Sequence, residues 1–141
     1  MGRRASRELA MKLLYQLEIQ KDDKDEQVKA TLDGEDLAPN DKQYVLDTID
    51  GVLSNLSYID KIIEDNAKGW KIGRISKVDL SILRLGVYEI SFREDIPFNV
   101  SINEAVELAK KFSAEDAGAF INGILGKVTR VSNAVSDNDK A

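Results

Sequence analysis

Ser76-Lys77-Val78-Asp79-Leu80-Ser81-Ile82-Leu83-Arg84-Leu85-Gly86-Val87-Tyr88-Glu89-Ile90 is the stretch that decides the fold. Leu80, Ile82, Leu83, Leu85, Val87, Tyr88 and Ile90 are apolar nearly all round at the helical period, the signature of a central, mostly buried helix. Ser76 followed three residues later by Asp79 has capping-box spacing, so the helix should open there. A helix of this kind must be surrounded, and the flanking sequence supplies its neighbours.

Upstream, Arg3 to Gln20 sets Leu9, Leu13 and Leu17 on one row with Ala10 and Leu14 beside it, a helix whose first turns carry arginines. Cations at a helix N-terminus oppose the macrodipole, a loss that a ligand with phosphates would offset. Lys21 to Asp36 is highly charged and reads as a short helix around Val28 and Leu32 or as a linker. Asn40 is the expected N-cap of a helix through Tyr44, Val45, Ile49, Val52 and Leu53, and Ser57 with Asp60 opens another through Ile59, Ile62 and Ile63. Asn66 to Gly73 breaks the pattern.

Downstream, Pro97 keeps its predecessor extended, and Ser101 with Glu104 opens a helix whose Ala105, Leu108, Ala109 and Phe112 share a face. Ser113 with Asp116 repeats the device before Phe120, Ile121, Ile124, Leu125 and Val128, a face that Val131 extends. No stretch alternates in period two. The expectation is an all-α single domain of six or seven helices over residues 1–135, with 136–141 a disordered tail.

Composition narrows the chemistry. The 141 residues suffice for one core without disulfides or metal. Without cysteine or histidine there is no thiol nucleophile, imidazole base or thiolate zinc site, and carboxylate pairs such as Glu104 with Glu107 show no sign of a shifted pKa in a pocket. No enzyme and no cofactor is expected. No run approaches the ~18 apolar residues of a membrane span, and no secretory signal is visible, so a soluble, cytoplasmic protein is expected. The formal net charge is −5, yet Arg3, Arg4, Arg7 and Lys12 face only Glu8, and Lys68, Lys71, Arg74, Lys77 and Arg84 face only Asp79. An acidic chain can therefore present a basic face to phosphates, because potential is local within a Debye length of ~8–10 Å.

Four motifs in order complete the picture: the arginine-rich first helix ending in Leu14-Tyr15; Ile75-Ser76-Lys77-Val78-Asp79 with Ile82-Leu83-Arg84 and Tyr88-Glu89; Pro97 with Ile102-Asn103-Glu104-Ala105-Val106-Glu107-Leu108-Ala109-Lys110; and Phe120-Ile121-Asn122-Gly123. Together they resemble the NusB family of bacterial transcription antitermination factors over nearly the whole chain. The resemblance implies two packed helical bundles and no catalysis. It also implies binding of boxA RNA from ribosomal RNA leaders with NusE, a small-subunit ribosomal protein, and assembly with RNA polymerase and other Nus factors. The family includes monomers and homodimers. The alternative is a helical accessory domain in ribosomal RNA modification or ribosome assembly; the related methyltransferases carry a cofactor domain for which this sequence shows no room.

On this resemblance Arg3, Arg4 and Arg7 are expected to grip RNA phosphates, against the alternative of a solvated charged end. Phe120 is expected to stack an unpaired base, although its spacing with Ile124 also fits the core. Lys110 and Lys111 stand near it and compensate for Ala119, where the family often has lysine. Asp116 either caps the last helix or borders the RNA site and tunes affinity. Tyr15 and Asp79 are expected to face NusE, with a core-edge role for Tyr15 and a capping role for Asp79 as the alternatives.

Overall fold

The protein is described here by a computed structural model covering residues 2–128; the expected tail and the extension through Val131 lie outside the described residues. Seven α-helices follow in order: α1 Arg3–Ile19, α2 Lys24–Asp33, α3 Pro39–Ser54, α4 Leu56–Asn66, α5 Lys77–Phe92, α6 Phe98–Phe112 and α7 Ala117–Leu125, with one 3-10 turn at Ile72–Arg74. No strand occurs among the described residues. Helix α5 is the hub: it packs against α1, α3, α4, α6 and α7, while α1 also packs on α2 and α3, and α6 on α7. Two helical groups thus share one central element.

Every residue from Leu80 to Ser91 is buried, as the apolar pattern predicts. Close packing of α5 needs glycine at two helix contacts. A Cβ on Gly86 would lie 2.7 Å from Leu125 of α7, and one on Gly51 would lie 2.1 Å from the Tyr88 ring. A Cβ on Gly123 would instead face open space.

The capping expectations divide. Ser76 caps α5 as predicted, its Oγ accepting the Asp79 N–H at 3.1 Å. Helix α3 starts at Pro39 rather than after Asn40, and α4 starts at Leu56, with Asp60 turned to Arg84 instead of the backbone. Helix α6 starts three residues before the predicted cap, directly after Pro97, which leaves Ser101 buried inside it. Ser113 lies before α7 but donates to Asp79 at 2.5 Å, and Asp116 occupies the N-cap position without a side-chain cap bond. In each case the polar side chain serves a partner on another helix or faces solvent, options that local spacing does not encode.

Candidate nucleic-acid interface

Burial of a whole turn of α5 forces two charged side chains out of water. Glu89 is fully buried and accepts from Arg7 Nε at 2.8 Å and Nη2 at 3.2 Å, from Ser101 Oγ at 2.7 Å and from the Tyr44 hydroxyl. A buried carboxylate is tolerable only with such full pairing. One residue therefore ties α1, α3, α5 and α6 together. Burial alone would lower the Arg7 pKa, but the hydrogen bonds and charge of Glu89 outweigh it and keep the guanidinium ionised. Arg84 is the second case, bonded to Asp60 at 2.8 Å through two nitrogens and to Glu18 at 2.7 Å.

These ties change the reading of α1. Arg7, expected to hold phosphate, is only 4% exposed and is committed to Glu89 and Glu104, so it positions α1 instead. Arg3 pairs with Asp41 at 3.3 Å and lies over the Tyr44 ring at 4.5 Å. Arg4 is exposed but forms two hydrogen bonds to Glu104, at 2.7 and 3.1 Å, which hold the Glu104 carboxyl below its usual range despite burial. Internal carboxylates, Asp41, Glu89 and Glu104, offset the misplaced arginines on the α1 dipole.

The last turn of α6 brings Lys110 and Lys111 beside this end of α1. Lys111 bonds to Glu8 at 2.7 Å and Lys12 lies 3.3 Å from the same carboxylate, whose pKa is lowered chiefly by the Lys111 hydrogen bond. Both lysines sit over the Phe112 ring, at 5.3 and 5.2 Å. Lys110 reaches Glu107 at 3.4 Å. The cleft here is lined by Arg4, Glu8, Glu104, Glu107, Lys110 and Lys111 among others, so its charges alternate.

Phe120 lies across the α6–α7 turn from that cleft. Its neighbours Ile121 and Ile124 are buried, whereas its own ring stays half-exposed and meets Trp70 edge to face, centroids 6.2 Å apart at 67°. The two rings separate two clefts of about 330 and 350 Å³. Arg74, Asp79 and Asp116 line the first; Lys68 and Lys127 line the second, with no carboxylate among the described residues. Asp116, exposed and free of a capping bond, lines the same cleft as the two rings. The α1–α6 cleft shares no lining residue with either, and the turn 113–116 lies between them in sequence.

Tyr15 is 37% exposed on α1. One turn on, Glu18 reaches Lys77 at 3.2 Å and Arg84 at 2.7 Å, which ties this part of α1 to the first turns of α5. Asp79, in the first turn of α5, accepts from Ser113 and lines the Phe120 cleft.

A model described as the NusB family matches residues 4–130. The chain belongs to the NusB family. A transcription antitermination protein NusB from Ruminiclostridium cellulolyticum is 63% identical over 130 residues, covering 92% of this chain and 90% of its own. A solved NusB from T. maritima superposes with a TM-score of 0.81 at 36% identity, covering 90% of this chain and 89% of that one. A chain from a crystal structure of antitermination factors NusB and NusE in complex with double-stranded RNA gives 0.80 at 28% identity, covering 88% and 92%.

Trp70 is the residue that sequence reading missed. Its signals were present: it is the sole tryptophan, set between Lys68-Gly69 and Lys71 in a basic run. Helical periodicity passes over it because it stands in a break between helices.

Proposed function

We propose that this NusB-family protein acts in transcription antitermination, without catalysis and in the cytoplasm, by binding boxA-type RNA of ribosomal RNA leaders together with NusE and joining RNA polymerase with other Nus factors. The observation that carries the RNA reading is Phe120: its ring packs partly on the core beside the buried Ile121 and Ile124, yet its remaining surface walls two open clefts. Single-stranded RNA is read by stacking unpaired bases on such rings. Lys110, Lys111, Arg3 and Arg4 supply phosphate contacts by exchanging their carboxylate partners for RNA oxygens, and Arg7 supports them from within. Asp116 lowers affinity by its charge. Tyr15 and Asp79 face NusE.

The test is titration of the purified protein with labelled boxA RNA, with and without NusE. RNA should bind, NusE should tighten it, and Phe120→Ala should weaken it about 5- to 150-fold, the range of one aromatic–base stack. Charge reversal at Asp79 should remove the NusE effect. Absence of both RNA binding and NusE enhancement would favour the accessory-domain alternative.

A further inference from the structure

The cations of this molecule fall into two populations. Arg3, Arg4, Arg7, Lys12, Lys110 and Lys111 are all ion-paired. Among the described residues, Lys42, Lys68, Lys71, Arg74 and Lys127 form no ion pair, and all of these except Lys42 of α3 lie in or beside the loop that carries Trp70 or across its cleft just past the end of α7. That loop is a built feature. Glu64 accepts the Ile72 N–H at 3.0 Å, Ala67 accepts the Trp70 N–H at 3.2 Å, and Lys68 and Gly69 take positive φ of 47° and 92°, projecting a tryptophan that remains 52% exposed. The indole meets Phe120 edge to face and still leaves half of its surface to solvent beside unpaired cations.

Resting on the RNA reading above, we infer that Trp70 extends the RNA path beyond Phe120: it stacks a second unpaired base, and Lys68, Lys71 and Lys127 neutralise the phosphates that accompany it. The chemistry selects single-stranded RNA with adjacent unpaired bases. Among the described residues, the cleft between Trp70, Phe120 and α7 is walled by aromatic faces and lysines with no carboxylate to repel a phosphate, unlike the cleft on the other side, where Asp79 and Asp116 stand. Phosphate binding here displaces no internal ion pair.

Because Trp70 is the sole tryptophan, its fluorescence reports this site directly. The experiment titrates the full chain with a single-stranded boxA-type RNA and follows both tryptophan emission and the label on the RNA. Stacking should change the emission with the same midpoint as RNA binding. Trp70→Ala should weaken binding roughly 5- to 150-fold while Trp70→Phe keeps most of the affinity. K68Q/K71Q/K127Q should reduce the salt slope by about 2, at about 0.7 per lost phosphate contact. If Phe120→Ala weakens binding while Trp70→Ala and the lysine variant do not, and emission stays unchanged, the RNA reading stands and the extension is overturned. Failure of the unaltered protein to bind RNA overturns both. Loss of NusE binding in Trp70→Ala with RNA affinity intact overturns the extension and makes the loop a protein surface.

Discussion

The two basic regions of this molecule look alike in sequence and differ in what their charge is committed to. Around α1 and the end of α6 every cation has a carboxylate within ion-pair distance, and one pair, Arg7 with Glu89, is buried. Around Trp70 the cations have none among the described residues. A count of lysines and arginines therefore measures two things: internal neutralisation at the first region, and available potential at the second. A phosphate arriving at the first must compete with Glu8, Glu104 or Glu107, whereas at the second it replaces only water and counterions.

The largest effect that sharpens this contrast is on stability. Glu89→Gln should destabilise the protein by up to about 3–5 kcal/mol, because it leaves the buried Arg7 with only the longer contact to Glu104; the midpoint and slope of denaturant unfolding measure it. Next come the RNA affinities. K110Q/K111Q should lower the salt slope by less than about 0.7 per residue, since each lysine already holds a carboxylate, and less per residue than K68Q/K71Q/K127Q. Equal slopes per residue would break the comparison.

Acid should expose the paired network in turn. Burial pushes Glu18 up, but hydrogen bonds from Arg84 and Lys77 win and hold it at about 2, against an ordinary 4.5. A carboxyl depressed in the folded state stabilises fully above its unfolded pKa and loses that contribution as pH falls to the folded value. The stability difference between the unaltered protein and Glu18→Gln should thus be constant at neutral pH and shrink between pH 4.5 and about 2. Thermal unfolding of both proteins across that range checks it. The smallest effect is Asp116→Asn, which should keep the fold, having no capping bond to lose, and bind RNA a few-fold more tightly in the same titration.

Much of the fold was readable from the sequence, because the burial of α5 is written as an uninterrupted apolar surface and its start as Ser76 with Asp79. The site was readable only in part. Ser101 and Ser113 have the spacing of caps, yet each hydroxyl serves a carboxylate on α5, Glu89 or Asp79, and a pairing between helices leaves no local trace. Arg7 and Glu89 stand 82 residues apart, so the commitment of that arginine is visible only after folding. Trp70 was passed over because a loop residue contributes nothing to periodicity, although its neighbours in space give it a clear setting.

The Glu89 junction also sets how the molecule comes apart. Since α1, α3, α5 and α6 each present a group to one buried carboxylate system, none of the four can detach without stranding charge in the others, and they should open as one cooperative unit. The loop of Trp70 lies outside that unit. Its amide hydrogens should exchange by local opening, while those of the middle of α5 wait for global unfolding, so the surface proposed to meet RNA can adjust its shape without drawing on the stability of the scaffold beneath it.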